Sequence, residues 1–158
     1  MPNPKVGLAL GSGAARGLAN LGVLLAFEEE QIPIDIITGT SAGAVVGCLY
    51  AAGSDLDVLR RMVDQLDWND LASWTIQRRG LISTEKLHAM LRMLTRDLNF
   101  EDLSIPAAVV ATDLQTGEEV VVNSGSVADA VQASLSIPGV FVPVELEGRL
   151  LVDGALVN

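Results

Sequence analysis

The sequence has few of the residues on which several common kinds of site depend. Its 158 residues include one cysteine, Cys48, so a disulfide framework and a cysteine metal site are excluded. His88 is the single histidine, so any site that needs an imidazole must recruit this residue. Ten basic and twenty acidic residues give a formal net charge of −10 and a pI near 4.3. This balance argues against general nucleic-acid binding, and we expect no nucleic-acid partner.

A long uninterrupted hydrophobic run is also missing. Residues 36–54 are nineteen positions without a charge, about the length of a membrane-spanning helix. Glycines, Thr40 and Ser41 interrupt this stretch, so a strand, a turn and a buried helix explain it better. The N-terminus leads straight into a predicted strand and lacks the apolar segment of a secretory signal. We therefore expect a soluble, cytoplasmic protein.

The composition that is present fits one folded domain. Apolar residues make up 49% and charged residues 19% of the chain, and a chain of this length buries enough surface for a core. Apolar runs alternate with amphipathic stretches, which predicts an α/β fold in three layers, α/β/α, around a mostly parallel central sheet. The predicted strands are 5–10, 34–38, 105–112, 118–122, 142–146 and 149–152; the predicted helices are 17–31, 44–52, 55–66, 83–94 and 127–135.

The segment Gly39-Thr40-Ser41-Ala42-Gly43 has the pattern of a nucleophile elbow. It follows an apolar, β-branched run and precedes the small-residue run 44–52. In such an elbow the chain turns sharply from strand to helix, and the glycines avoid Cβ clashes. The serine oxygen then stands above the sheet, at the positive end of the helix. An ordinary strand-to-helix turn is the alternative, because G-x-S-x-G also arises by chance.

Two further parts of an acyl-transfer site occur in the sequence. The small residues at 11–15 follow the first strand and let consecutive backbone N–H groups converge on a negative charge. A helix that starts near Gly17 adds its dipole at the same place. Asp153 follows the apolar residues 150–152 at the end of the last predicted strand. A nucleophile, oxyanion donors and a base are what ester hydrolysis requires, although an aspartate here also suits a turn or a cap.

The position of His88 argues against a Ser-His-Asp triad. It lies in the middle of a predicted helix, and Asp153 follows it, which violates the hydrolase order of serine, acid and histidine. We therefore expect His88 to be a surface or packing residue. Ser41 and Asp153 remain as a dyad. A carboxylate with a pKa of about 4 is a weak base, so Asp153 should need desolvation.

Five motifs occur together in the chain: Gly11-Ser12-Gly13-Ala14-Ala15-Arg16-Gly17, Gly39-Thr40-Ser41-Ala42-Gly43, Thr112-Asp113-Leu114-Gln115-Thr116-Gly117, Ser136-Ile137-Pro138-Gly139-Val140-Phe141 and Asp153-Gly154-Ala155. Together they resemble the bacterial patatin-like phospholipases over nearly the whole chain. The resemblance implies a serine acyl hydrolase with Ser41 as nucleophile and Asp153 as general base, without a metal or other cofactor. It implies lipid esters as substrates, namely phospholipid or lysophospholipid acyl chains.

The same resemblance assigns an oxyanion hole and its supports. The loop of Ser12, Gly13 and Ala14 matches the oxyanion hole, with Ser12 and Ala14 in place of two glycines of the family pattern. Asn20 stands where many relatives carry histidine. Family domains usually continue past the aspartate motif, so we expect residues 1–158 to be a single patatin-like domain that lacks its C-terminal part. The supporting positions are Gly11, Arg16, Gly17, Gly39, Gly43 and Gly154, with Arg16 supporting the loop or a phosphate.

Other interpretations remain open from the sequence. A dinucleotide-binding domain would need an acidic residue at the end of the second strand, where this chain has residues 38–41. A catalytically inactive or truncated relative that binds lipid or a partner is the non-enzymatic alternative. Residues 60–96 hold seven basic and four acidic side chains; with Trp68, Trp74 and the pair Arg78-Arg79 they suit transient contact with a membrane surface or a solvated helix face. The oligomeric state does not follow from the sequence.

Overall fold

A computed structural model describes residues 4–64 and 84–158 of the chain. Strands and helices alternate along these residues, as the sequence predicts. The strands are β1 Gly7–Leu10, β2 Ile36–Thr40, β3 Ala107–Asp113, β4 Glu119–Val122, β5 Val144–Leu146 and β6 Arg149–Asp153. The α-helices are α1 Ala19–Glu29, α2 Ala42–Ala51, α3 Leu56–Asp64, α4 Thr84–Leu94 and α5 Val127–Leu135, and 3-10 helices cover Ala14–Leu18, Phe100–Asp102 and Gly154–Leu156.

The strand β3 is the centre of the sheet. All seven of its residues are buried, as a continuous apolar run predicts. It pairs in parallel with β2 and antiparallel with β4 and β6. β1 extends the sheet in parallel beyond β2, and β5 extends it antiparallel beyond β6. The sheet is therefore mixed: its parallel part joins β1, β2 and β3, and the later strands pair antiparallel.

The register of the strands brings two distant chain segments together. Thr40 at the end of β2 lies opposite Val110 of β3, and Asp153 at the end of β6 lies opposite Ala111. Val110 and Ala111 are consecutive, and paired strands lie only about 4.8 Å apart. The residue that follows Thr40 therefore comes next to Asp153, although the two are 112 positions apart in the chain.

Two apolar clusters fix the helices to one face of the sheet. Leu24 of α1 packs in a cluster with Ile37 of β2, and Val131 of α5 packs in a second cluster with Val109 of β3. Ile37 lies opposite Ala107, two residues before Val109, so these strand residues point to the same face. Leu24 and Ile37 are 0% and 1% exposed, and burial of such a side chain contributes about 1.5–3 kcal/mol.

The other face of the sheet is exposed towards its edges and buried at its centre. Ile36 and Val121 point to this face and are 45% and 54% exposed, and Gly7 beside Ile36 is exposed as well. On the same face, Val110 and Thr112 of β3 are 8% and 3% exposed. The two apolar clusters therefore cover one face, and the other face is exposed mainly at its outer strands. Within residues 4–64 and 84–158, none of the helices is long and apolar enough to span a bilayer.

Most predicted elements agree with the structure, with small shifts at their ends. The helix α5 has the predicted bounds, and the β5–β6 hairpin turns at Glu147 and Gly148 as expected. β2 begins two residues later than predicted, and just before it the Asp35 carboxylate accepts the N–H of Val6 at 2.7 Å. Asp55 caps α3, because its Oδ1 accepts the N–H groups of Asp57 and Val58. Three predicted features lie outside the described residues: residues 65–66 of the third predicted helix, residue 83 at the start of the fourth, and the basic segment with Trp68, Trp74 and the pair Arg78-Arg79.

Candidate active site

Ser41 occupies a sharp turn between β2 and α2. It is the N-cap residue of α2, with φ 53° and ψ −119°. A positive φ is uncommon for a residue with a Cβ and holds about 1–3 kcal/mol of strain. The side chain makes no capping bond to its own helix, so the hydroxyl is available to another partner. Ser41 is 5% exposed, and the chain takes the turn that the elbow motif predicts.

Close backbone contact joins the elbow to the loop after β1. A side chain on Gly43 would collide with the carbonyl oxygens of Leu10 and Gly11, and one on Gly17 would collide with the Cβ of Ala42. The first turn of α2 therefore lies against both ends of the glycine-rich loop. This contact requires glycine, because a Cβ would push the two segments apart.

Asp153 lies within hydrogen-bond distance of Ser41. The Ser41 hydroxyl donates to Oδ2 of Asp153 at 2.9 Å. The other carboxylate oxygen, Oδ1, accepts the N–H of Ala155 at 2.8 Å. Asp153 is 4% exposed, so the carboxylate has the buried position that a base of this type needs. The structure brings together the two residues that the sequence predicts as a dyad.

Backbone contacts hold the end of β6 in place. The N–H of Asp153 donates to the carbonyl of Ser136 at 2.9 Å. Its carbonyl accepts the hydroxyl of Thr112, also at 2.9 Å. A side chain on Gly154 would collide with the carbonyl oxygen of Val110. The backbone on both sides of the carboxylate is therefore fixed against β3 and the segment after α5.

The glycine-rich loop is exposed from residue 11 to residue 16. The Asn20 side-chain amide donates to the carbonyl of Gly11 at 2.9 Å, which fixes the start of the loop. The N–H of Arg16 donates to the carbonyl of Gly13 at 2.9 Å, so Arg16 supports the loop through its backbone. Among residues 4–64 and 84–158, no hydrogen bond uses the N–H groups of Ser12 and Gly13. These donors are open to a ligand.

His88 lies apart from Ser41 and Asp153. Its Nε2 contacts Oδ1 of Asp129 at 2.6 Å, and this pair joins α4 to α5. Both side chains are about one-third exposed, at 33% and 38%. Within the described part of the chain, the dyad therefore has no imidazole partner.

Two hydroxyls at the site were not predicted from the sequence. Thr112 supports the backbone of Asp153, and Ser134 accepts the N–H of Ser41 at 2.7 Å. Thr112 and Asp113 are the two polar residues of the buried strand β3, which is a weak signal of such a role. Ser134 is a small residue on the buried side of α5, and the sequence around it carries no comparable signal.

A separate surface cavity of about 630 Å³ lies away from the dyad. Its lining includes Leu25 of α1, Tyr50 of α2 and Arg60 of α3. Neither Ser41 nor Asp153 lines it. This cavity is therefore separate from the surroundings of Ser41 and Asp153.

The described residues combine a mixed sheet, a serine elbow and a buried contact between Ser41 and Asp153. The sequence profile of the family described as patatin-like phospholipase matches residues 8–158. The chain belongs to the patatin-like phospholipase family, as the motifs predict.

Curated relatives match almost the whole chain. An uncharacterized NTE family protein of Mycobacterium tuberculosis is 40% identical over 159 residues, which cover 99% of this chain and 44% of that protein. The lysophospholipase NTE1 of Kluyveromyces lactis is 34% identical over 159 residues, covering 97% of this chain and 11% of that protein. The chain thus spans less than half of the length of these relatives.

Solved structures share the fold. VipD from Legionella pneumophila aligns with a TM-score of 0.72 at 16% identity, covering 98% of this chain and 46% of that chain. ExoU in its complex with SpcU from Pseudomonas aeruginosa aligns with a TM-score of 0.68 at 23% identity, covering 87% of this chain and 37% of that chain. These neighbours confirm the predicted three-layer α/β/α class.

Proposed function

We propose that the protein hydrolyses carboxylic esters of lipids through an acyl-enzyme on Ser41, with Asp153 as the general base. The observation that carries this proposal is the hydrogen bond of 2.9 Å between the Ser41 hydroxyl and Asp153 Oδ2, between two side chains that are 5% and 4% exposed. A serine at this distance from a buried carboxylate can pass its proton directly. No third residue is needed for the transfer.

Acylation begins when the Ser41 oxygen attacks the ester carbonyl carbon. Its proton passes to Asp153, and the carbonyl oxygen becomes an oxyanion. Backbone N–H groups of Ser12, Gly13 and Ala14 are the donors that would stabilise this charge, together with the N-terminus of α2. The intermediate collapses when the bond to the leaving alcohol breaks. That alcohol takes the proton from Asp153, and the acyl group remains on Ser41.

Deacylation reverses the roles with water as the nucleophile. Asp153 accepts a proton from water as the water oxygen attacks the acyl carbon. A second oxyanion forms at the same N–H groups. The bond to Ser41 then breaks, Asp153 returns its proton to the serine oxygen, and the fatty acid leaves. One carboxylate therefore serves both half-reactions.

The proposed substrates are phospholipid or lysophospholipid acyl chains. Two findings support this choice: membership of the patatin-like phospholipase family and the similarity to a yeast protein named as a lysophospholipase. Brief contact with a membrane surface and a cytoplasmic location belong to the same proposal. A matched comparison of a lysophospholipid, a diacyl phospholipid and a neutral ester tests it. Faster release of fatty acid from the neutral ester than from either phospholipid would contradict it.

The mechanism is tested by labelling with a fluorophosphonate probe and by turnover of a short-chain nitrophenyl ester. Ser41→Ala should abolish both. Asp153→Asn should lower turnover by about 10³-fold or more, because the base is lost. Asp113→Asn is a matched control, since Asp113 is a second aspartate at a strand end and is 6% exposed. It should keep both activities.

The variant His88→Ala distinguishes a Ser–Asp dyad from a Ser-His-Asp triad. This variant should retain nearly full turnover, because His88 contacts Asp129 and not the dyad. Loss of activity in a folded His88→Ala protein would contradict the dyad. Absence of probe labelling in the unaltered protein would favour a lipid- or partner-binding module instead of an enzyme.

A further inference from the structure

Ser134 links the elbow to the central strand. It lies in α5 and is 0% exposed. Its hydroxyl oxygen accepts the backbone N–H of Ser41 at 2.7 Å, and its hydroxyl proton is donated to the carbonyl of Val110 at 2.6 Å. One side chain thus joins three elements: the end of β2, the middle of β3 and the helix α5.

The direction of these two bonds is fixed by chemistry. A backbone carbonyl can only accept, so the single proton of the Ser134 hydroxyl must point to Val110. The oxygen of Ser134 is left as an acceptor facing the N–H of Ser41. That N–H is consequently occupied, and the oxyanion donors have to come from other backbone groups, such as those of the glycine-rich loop.

The elbow needs this partner because its backbone leaves the sheet at Ser41. β2 ends at Thr40, and Ser41 has φ 53° and ψ −119°, which is neither strand nor helix. A buried N–H must find a partner outside the regular ladder. Ser134 supplies it, and it does so from an anchor on Val110, the residue that pairs with Thr40.

The Val110 carbonyl, which accepts the Ser134 hydroxyl, also lies close to Asp153, the second residue of the dyad. Val110 precedes Ala111, which pairs with Asp153, and the Val110 carbonyl is the atom that a side chain on Gly154 would strike. We propose that Ser134 is a positioning residue, which holds the backbone of Ser41 so that its hydroxyl stays within reach of Asp153. This inference rests on the proposed function of the dyad.

The first test is Ser134→Ala, measured as kcat, KM and the rate of fluorophosphonate labelling. We expect kcat and the labelling rate to fall by roughly 100-fold, the size of effect that a displacement of about 1 Å has on a nucleophile. KM should stay within about two-fold, because Ser134 touches no substrate. Thr95→Val is the control: Thr95 is 1% exposed and its hydroxyl donates to the carbonyl of Leu91 at 2.8 Å, within α4 and the residue after it. It should leave kcat unchanged.

A matched pair at the same position separates hydrogen bonding from packing. Ser134→Thr and Ser134→Val have nearly the same shape and place the same extra methyl volume in a filled site. They differ in the hydroxyl, so Thr should keep most of the labelling rate and Val should lose it by roughly the same 100-fold as Ala. If Ser134→Ala does not fold, the comparison of Ser134→Thr with Ser134→Val still tests the inference.

Two outcomes would overturn the inference. One is a folded Ser134→Ala protein with kcat near that of the unaltered protein, and the other is equal labelling of Ser134→Thr and Ser134→Val. Ser41→Ala distinguishes this failure from failure of the proposed function. If Ser41→Ala abolishes labelling while Ser134→Ala does not affect it, Ser41 remains the nucleophile and only the role of Ser134 is wrong.

Discussion

Two turns from strand to helix lie side by side in this protein and are built differently. The elbow after β2 is buried, and both the N–H and the hydroxyl of Ser41 are bonded, to Ser134 and Asp153. The loop after β1 is exposed and is held near its start by Asn20 and by a backbone bond within the loop. Both turns contain glycines, and they contact each other through the first turn of α2.

The two turns differ in that the elbow is held rigidly and the loop is accessible to a ligand. The proposed nucleophile needs one fixed position. Ser41 has bonds to Ser134 of α5 and Asp153 of β6, and Ser134 is itself bonded to β3. The proposed oxyanion donors need free N–H groups, and Ser12 and Gly13 leave theirs without protein partners in the described residues. Glycine serves the elbow by permitting close backbone contact. In the loop, small residues leave room for a substrate oxygen.

The largest effect is expected where the two turns touch. Gly43→Ala places a methyl group against two backbone carbonyl oxygens, those of Leu10 and Gly11. Neither carbonyl can rotate away without breaking the start of the loop. We expect the free energy of unfolding to fall by about 3 kcal/mol or more, the upper range for overpacking. Urea denaturation measures this, and probe labelling should fall with it.

Gly22→Ala is the matched control for that substitution. Gly22 lies inside α1, is exposed, and a Cβ there meets no atom within 4 Å. The change should stabilise the protein by about 0.5–1 kcal/mol, because alanine favours the helix. If both variants unfold at the urea concentration of the unaltered protein, the elbow and the loop are not in tight contact.

A second prediction concerns the buried thiol of Cys48, which lies in α2 after the elbow. Burial raises the pKa of the Cys48 thiol from 9.0 to about 12. Below pH 9 the thiol is protonated in both the folded and the unfolded protein. Between about pH 9 and 12 it ionises in the unfolded chain alone, so the free energy of unfolding should fall as pH rises, by up to about 1.4 kcal/mol per pH unit. Urea titrations at several pH values measure this.

Cys48→Ala isolates the contribution of the thiol. Tyr50 also has a raised pKa, from burial and from Glu28, so the raw pH curve mixes two groups. The difference in unfolding free energy between the unaltered protein and the variant should shrink from pH 8 to pH 11. A difference that stays constant would mean that the core behind Ser41 is open to water.

The sequence predicts the elements of this fold well where one local pattern decides them. The apolar run that becomes β3 is buried along its whole length, and α5 begins and ends at the predicted residues. Ser41 and Asp153 follow from motifs at strand ends, and the register of β3 explains why they meet. The bounds of β3 and α5 depend on residues that are close in the chain. The meeting of Ser41 and Asp153 depends on register, because β2 and the antiparallel β6 end beside consecutive residues of β3.

The contacts of Ser134 and Thr112 depend instead on three-dimensional register. A serine inside a helix is ordinary, and nothing nearby in the sequence shows that its hydroxyl will face the N–H of Ser41. The mixed pairing of the sheet has the same origin, because β6 reaches β3 through a hairpin whose direction is set by packing. Asn20 shows the reverse case. The sequence shows Asn20 at the position where many relatives carry histidine, but its bond to the Gly11 carbonyl depends on the fold of the loop.

The smallest effect is expected at the exposed turn. Asn20→Asp keeps the shape of the side chain but removes the donor to the Gly11 carbonyl, so the start of the loop loses its anchor. We expect probe labelling to slow by about 3- to 10-fold, less than the loss of an oxyanion donor, because the N–H groups themselves remain. The free energy of unfolding should change by less than about 1 kcal/mol, since the bond is exposed. Asn123→Asp adds the same charge at an exposed position outside the site and should change neither quantity. If Asn20→Asp destabilises the protein as much as Gly43→Ala, the loop is as rigid as the elbow and the division between the two turns does not hold.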